Sequence, residues 1–221
     1  EGDRALKEAV TNISHDLRTP LTALSGYVEL LKSQPLPEKA RRYAAQIEER
    51  TAAMKRLTDE LFRYFVSASG ELKTEEVDLR RAVEEALLSF YGALQERNIT
   101  PVLQLTEASV VRRLDPTALS RVLGNILSNV LKYSAGDLNV SLDEMGEITF
   151  SNRATDLDPV AVGRLFDRFY TVESGCSATG LGLSIAKTLT EQMGGNIGAV
   201  LLEGRFCISL LFPPEPSSPA R

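Results

Sequence analysis

Residues 6–31, LKEAVTNISHDLRTPLTALSGYVELL, place Leu6, Val10, Ile13, Leu17, Leu21, Leu24, Val28 and Leu31 at steps of 4, 3, 4, 4, 3, 4 and 3. Steps of three and four return to one side of an α-helix, so this stretch reads as a long helix with a narrow apolar seam. Pro20 lies inside it. Proline removes one helix hydrogen bond and crowds the preceding turn, so a kink just before residue 20 is expected. Gln34-Pro35-Leu36-Pro37 then breaks the helix. A second seam follows at Ala40, Ala44, Ile47, Thr51, Met54, Thr58, Leu61 and Phe65. Two long helices joined by a short turn make an antiparallel hairpin. Alone, such a hairpin buries little apolar surface. Two copies forming a four-helix bundle would cover all four seams, so a homodimer is expected.

The pattern changes near Gly70. From Glu75 onward, strands are expected over 100–105, 138–142, 147–151, 196–202 and 206–212, and helices over 79–95, 116–133, 159–166 and 181–194. Asp143-Glu144-Met145-Gly146 and Leu202-Glu203-Gly204-Arg205 read as hairpin turns. Hairpin strand pairs with intervening helices point to a mixed α/β sandwich and not to a doubly wound parallel sheet. The fold class is therefore α+β: a helical hairpin over about 1–68, then an α/β domain over about 74–213. The proline-rich tail after Phe212 is expected to be loose.

Bulk properties fit that division. The chain has 221 residues, 43% apolar and 25% charged, enough for an ordinary core. Its net charge of -5 comes from interleaved acids and bases, which speaks against a nucleic-acid partner. The helix near Arg4 is not basic enough to lie on a membrane surface. Cys176 and Cys207 lack ligand-like spacing and suit a reduced cytosolic setting, Cys176 as an incidental thiol and Cys207 as a core residue. No apolar run reaches the roughly 18 residues that span a bilayer. The chain begins within a helical pattern, as a piece of a longer protein would.

His15 is the sole histidine. By itself a solitary helical histidine is most often a surface residue, but this one sits in Ser14-His15-Asp16-Leu17-Arg18-Thr19-Pro20-Leu21. A nucleophilic imidazole needs one nitrogen free and the other held as N–H. The adjacent Asp16 is placed to orient the ring or accept a proton. Thr19 falls one helical turn on, where its hydroxyl shares the face of His15 and suits positioning a water. Metal binding is disfavoured, because no second histidine and no nearby cysteine accompany it.

Four patches in the α/β half carry further chemistry. Asn125, Asn129, Lys132 and Tyr133 recur on one helical face, combining oxygen ligands suited to Mg²⁺, a cation for phosphate and a ring to pack on a base. A polar solvent stripe is the plainer alternative, yet asparagine is a poor helix former. Ser151-Asn152-Arg153-Ala154 follows a strand. Leu165-Phe166-Asp167-Arg168-Phe169-Tyr170 is an aromatic cluster that by itself reads as core. Ala178-Thr179-Gly180-Leu181-Gly182-Leu183-Ser184 opens a helix with small residues that let the backbone approach phosphate. Residues 171–179 read as a lid over nucleotide.

Taken together and in order, these motifs resemble the sensor histidine kinases of two-component systems over about residues 5–212. His15 to Pro20 resembles the H box, Asn125 to Tyr133 the N box, Phe166 to Tyr170 the F box and Gly180 to Leu183 the G2 box. The resemblance implies a dimerisation and phosphotransfer hairpin followed by a Bergerat-type ATP-binding domain. It implies ATP and Mg²⁺ as cofactors, with Asn129 on Mg²⁺ and Asn125 and Lys132 facing the triphosphate. Tyr133 would border the base, Phe166, Arg168 and Phe169 would line the nucleotide, and Thr179, Gly180, Leu181, Gly182 and Leu183 would wrap the phosphates. Asp16 would assist proton removal from His15, and Thr19 would serve a phosphatase reaction. The implied partners are a second copy of the chain and the receiver domain of a response regulator. A cytoplasmic location and a membrane anchor upstream of Glu1 are implied in the same way.

One box departs from the family pattern. The usual Asp-x-Gly-x-Gly turn carries an aspartate that accepts from the adenine amino group. Here Asn152 takes the aspartate's place, and Ala154 and Asp156 stand where glycines belong. An asparagine carbonyl still accepts a hydrogen bond, although its NH₂ does not. Two other functions compete: a scaffold or phosphatase with a degenerate nucleotide pocket, and an ATPase of the gyrase kind. The latter needs a glutamate four residues before the Mg²⁺-binding asparagine, and that position is Asn125.

Overall fold

The computed structural model describes residues 2–68, 72–154, 157–167, 170 and 180–214, with the backbone alone for 2–12, 14, 15, 60–68, 159 and 160. The chain divides into two units, one built on a pair of helices and the other on a sheet with its covering helices.

The first unit is the helical pair α1 (Gly2–Lys32) and α2 (Glu38–Ala68), split where residues 33–37 leave the helix. α1 continues through Pro20. The seams meet in part: Leu21, Val28, Ala44 and Thr51 are buried between the helices. Other seam positions, Ile13, Leu17, Leu24, Leu31, Ile47 and Met54, are exposed.

The second unit opens with β1 (Glu75–Asp78), which pairs antiparallel with β3 (Val111–Leu114) in a small two-stranded sheet. Neither strand is among those expected from the sequence. Each is four residues long, too short for a two-residue alternation to stand out. The main sheet has the order β2-β4-β5-β7-β6, formed by β2 (Thr100–Leu105), β4 (Asp137–Leu142), β5 (Glu147–Arg153), β7 (Arg205–Leu211) and β6 (Asn196–Leu202). Only the β2–β4 pair is parallel.

Alternation along the strands gives the sheet two faces. Leu138, Val140, Leu142, Ile148, Phe150, Phe206, Ile208 and Leu210 are buried. Their neighbours on the opposite face, among them Ser141, Thr149, Ser151 and Ser209, are half-buried. Cys207 belongs to this second set, so it is not the core residue expected. The helices α3 (Leu79–Glu96), α4 (Pro116–Tyr133) and α6 (Gly182–Gln192) cover the apolar face with Leu79, Val83, Leu119, Leu123, Ile126, Leu127, Ala186 and Leu189. Each such valine, leucine, isoleucine or phenylalanine side chain contributes about 1.5–3 kcal/mol on burial.

Turn chemistry sets the strand registers. Glu203 and Gly204 have φ of 49° and 76°, the positive values that a two-residue hairpin loop between β6 and β7 demands. Between β4 and β5, Asp143 accepts the Glu147 N–H on its side chain at 2.8 Å and the Gly146 N–H on its carbonyl at 3.2 Å. The helix expected over 159–166 is short: α5 spans Pro159–Val162. Gly163 follows, and the backbone changes to three-residue bonds from Arg164 to Ala161 and from Leu165 to Val162. α6 likewise ends two residues earlier than expected. Gly194 takes φ of 76°, and the Gly195 and Gly194 N–H groups close on Thr190 and Glu191, a Schellman cap.

Candidate phosphoacceptor helix and nucleotide site

His15, Asp16 and Thr19 all lie on α1, with His15 and Thr19 one turn apart. The His15 side chain lies outside the described residues; Asp16 and Thr19 are exposed. Arg18, in the same stretch, crosses to α2 with a guanidinium nitrogen 2.5 Å from Asp59. Lys32 and Glu48 make a second crossing at 2.6 Å near the hairpin turn. Exposed pairs of this kind are worth about 0–1 kcal/mol each, so they hold the two helices in register more than they stabilise them.

The α/β unit builds a separate constellation around α4. Asp115 caps this helix, its side chain accepting from the Ala118 N–H at 2.9 Å, with Pro116 in the first turn. It also accepts the Lys73 N–H at 2.8 Å. Burial alone would raise the pKa of Asp115, but the backbone N–H groups of Ala118, Lys73 and Thr117 outweigh it and the pKa is lowered. On the body of α4, Val122, Leu123, Ile126, Leu127 and Val130 are buried. Asn125, Asn129 and Tyr133 are half-buried and Lys132 is exposed. The asparagines thus sit at the border of the packed face and do not form a solvent stripe.

α6 begins against that border. A Cβ built on Gly182 would stand 3.7 Å from the Asn125 Oδ1 and 3.9 Å from its Cγ. The first turn of an eleven-residue helix, with its free N–H groups, is therefore brought to the amide face of α4. Gly180, just before it, has φ of 69°, a value glycine adopts without strain. Leu181 and Leu183 are buried. Phe166 is half-buried, with the Lys187 ammonium of α6 at 5.9 Å from its ring centre. Arg164 stacks over Tyr170 at 4.5 Å. Arg168, Phe169, Asp156, Thr179 and the expected lid over 171–179 lie outside the described residues, as does the tail from residue 215.

Asn152 lies on β5, on the same face of the sheet as Ile148 and Phe150, and is only 2% exposed. Its Nδ2 donates to the Arg153 carbonyl at 3.0 Å. Ala154, where the sequence pattern led one to expect a glycine, is buried and donates its N–H to the Gly204 carbonyl at 3.2 Å. Among the described non-glycine residues, positive φ occurs only at Asn98 and Glu203. Ala154 therefore adopts a conformation open to any residue, and no glycine is required there.

Two neighbouring residues escaped the sequence reading. Asp137 accepts from the Arg153 N–H at 2.7 Å and from an Arg205 guanidinium nitrogen at 2.8 Å. Arg205 also donates to the Ser151 carbonyl at 3.2 Å. Burial opposes the charge on Asp137, yet the Arg153 N–H and Arg205 outweigh it and hold its pKa below the ordinary carboxylate value. Asp137 and Arg205 are 68 residues apart, and no local pattern marks either one.

The donor set suits a nucleotide with Mg²⁺: amide oxygens as hard ligands, a helix N-terminus for phosphate and an apolar wall. Among the described residues no group of three or more His, Cys, Asp or Glu side chains is arranged to hold a metal by itself. No described helix is long and apolar enough to cross a membrane.

Comparison with known proteins accords with this arrangement. Residues 5–65 match the His Kinase A (phospho-acceptor) domain, and residues 114–216 match the histidine kinase-, DNA gyrase B- and HSP90-like ATPase family. Sensor histidine kinase YcbM of Bacillus subtilis is 31% identical over 208 residues, covering 88% of this chain and 67% of the relative. Sensor protein VanSC of Enterococcus gallinarum is 32% identical, covering 90% of this chain and 58% of the relative. Sensor histidine kinase WalK of Bacillus subtilis is 30% identical, covering 92% and 36%. The chain thus spans between about a third and two thirds of these relatives' lengths. In fold it is similar to full-length ShkA in complex with AMPPNP, with a TM-score of 0.67 at 23% identity over 97% of this chain and 47% of that one. It is likewise similar to the Acinetobacter baumannii histidine kinase AdeS, with a TM-score of 0.62 at 20% identity over 91% of this chain and 98% of that one. A phosphoacceptor-type hairpin followed by an ATPase-type α/β unit, at this level of identity, places the chain in the family of sensor histidine kinases.

Proposed function

We propose that this chain is the catalytic core of a two-component sensor, transferring the γ-phosphoryl group of ATP to His15 and then to an aspartate of a response-regulator receiver domain. The observation that carries the reading is the meeting of Asn125 with the α6 N-terminus at Gly182, in a chain that also bears His15-Asp16 on a long helix.

In the chemical step a ring nitrogen of neutral His15 attacks the γ-phosphorus. The N–P bond forms as the bond to the β,γ-bridging oxygen breaks, ADP leaves, and Asp16 receives the imidazole proton. Such a transfer needs positioning and charge neutralisation more than covalent assistance. Mg²⁺, when bound, neutralises the phosphate oxygens, and the amide oxygen of Asn129 is its protein ligand. Asn125 and Lys132 face the triphosphate. Thr179 to Leu183 surround the phosphates, while Tyr133, Phe166, Arg168 and Phe169 line the nucleotide. Asn152 accepts from the adenine amino group. In the reverse, phosphatase direction the Thr19 hydroxyl orients water against the phosphorylated regulator.

The chain acts as a homodimer built on residues 1–68, with residues 74–213 as the ATP-binding domain. The exposure of Ile13, Leu17, Leu24, Leu31, Ile47 and Met54 supports pairing of two hairpins. We place it on the cytoplasmic side, as part of a membrane-anchored sensor.

The test is incubation with γ-labelled ATP and Mg²⁺, alongside His15→Gln. Label that is acid-labile, alkali-stable and absent from the variant is expected. Label persisting in His15→Gln would sink the reading. Regulator dephosphorylation without any nucleotide binding would favour the scaffold or phosphatase alternative that the Asn152 departure suggests.

A further inference from the structure

Asparagine is an ambiguous reader of a purine. One half-turn about its last bond exchanges an acceptor for a donor. A 6-amino purine presents a donor at that position and a 6-oxo purine an acceptor, so an unconstrained amide pairs with either. The amide of Asn152 is constrained. Its Nδ2 is 3.0 Å from the Arg153 carbonyl, in a residue 2% exposed. A half-turn would set two acceptors against each other out of reach of bulk water.

The carbonyl that imposes this is itself fixed. It also accepts the Ala135 N–H at 3.1 Å, and the next N–H, from Ala154, is taken by Gly204. The Arg153 N–H is taken by Asp137 Oδ1 at 2.7 Å, while the other carboxylate oxygen is held by Arg205, which grips Ser151 as well. Residues 134–137 form the turn that leaves α4, organised by Ser134 Oγ, which accepts from the Gly136 and Asp137 N–H groups at 3.1 Å. The amide of Asn152 and the asparagine face of α4 are thereby tied through one short turn.

We propose that Asp137 is a positioning residue which, through Arg153, locks the Asn152 amide with its acceptor toward the base, so that the site selects 6-amino over 6-oxo purine nucleotides. This rests on the reading of Asn152 as the base contact. A carboxylate at this position would be acceptor-only by its own chemistry; here the surroundings give an amide the same property.

The test measures dissociation constants of the whole chain for ATP and inosine triphosphate with Mg²⁺, in wild type, Asp137→Ala, Asn152→Asp and the double variant. Wild type is expected to prefer ATP by about tenfold or more, the worth of one hydrogen bond gained or opposed. Asp137→Ala is expected to bring the two nucleotides within about threefold, because the Arg153 backbone loses the carboxylate that anchors its N–H and its carbonyl can then shift away from the Asn152 nitrogen. In the Asn152→Asp background the same replacement should leave the ratio unchanged, since a carboxylate has no donor face. A structural role alone would weaken both nucleotides alike in both backgrounds, and that result overturns the proposal. Should Asp137→Ala not fold, wild type decides: equal affinity for the two nucleotides overturns the proposal without any variant. Binding of neither nucleotide overturns the ATP-site reading itself, whereas ATP binding with the wrong ratio overturns the inference alone.

Discussion

Asp115 and Asp137 hold the two ends of the same helical region by accepting backbone N–H groups, Asp115 at the start of α4 and Asp137 just beyond its end. Both have lowered pKa values, which fixes the sign of their effect. The unfolded chain takes up their protons near the ordinary value of about 3.9, while the folded chain resists until lower pH. Their contribution is complete above that value and is lost as pH falls through the lowered folded pKa. Asp115→Ala removes the cap and is expected to cost about 0.5–2 kcal/mol at neutral pH. Urea denaturation at pH 7 and again near pH 3 should show the gap between wild type and variant narrowing in acid. A gap that stays constant would mean that the carboxylate charge contributes nothing at this cap.

At the level of elements, the join between α6 and β6 is the least forgiving. Gly195 follows the α6 cap, and a Cβ there would fall 2.6 Å from Phe212 Cδ1 and 2.9 Å from the Leu211 carbonyl. Phe212 is 1% exposed, and its carbonyl is held by Arg112 at 2.6 Å. The ring has little room to retreat. Gly195→Ala is expected to destabilise the α/β unit by about 1–3 kcal/mol, the usual cost of overpacking. Thermal melts of the variant should fall by several degrees, and an unchanged midpoint would show that the ring yields freely. Gly182 offers a contrast: its imagined Cβ meets only ordinary contacts at Asn125, so packing alone does not demand a glycine there.

For the whole molecule, the seam of the helical pair is covered only in part among the described residues. Leu21, Val28, Ala44 and Thr51 are satisfied within one chain, whereas Leu24 is 47% exposed and Ile47 equally so. If a second copy covers them, Leu24→Glu sets charges into the bundle and should convert the dimer to monomer in light scattering. The α/β unit would keep its fold. A Leu24→Glu protein that remains dimeric would exclude this seam as the interface.

The residues that announced the architecture were those whose signal is local. The three-and-four spacing from Leu6 to Leu31, the break at residues 34–37, the helix expected from residue 116 and the Glu203-Gly204 turn each depend on neighbours in the chain. So do the asparagine spacing on α4 and the glycines before α6, which made the candidate site legible as a set of motifs. Tertiary structure decided what depends on distant partners. It brought Glu75 opposite Leu114 in a strand pair too short to foresee, turned Cys207 to the open side of the sheet, and joined Asp137 to Arg205 across 68 residues. It also decided the meaning of Asn152. In the sequence this residue is a departure from an aspartate, with a donor and an acceptor of equal standing. Only the fold, by placing the Arg153 carbonyl 3.0 Å from its nitrogen, distinguishes the donor end of the amide from the acceptor end. Periodicity and turn preference are properties of adjacent residues, but the partner of a hydrogen bond is chosen by the path of the whole chain.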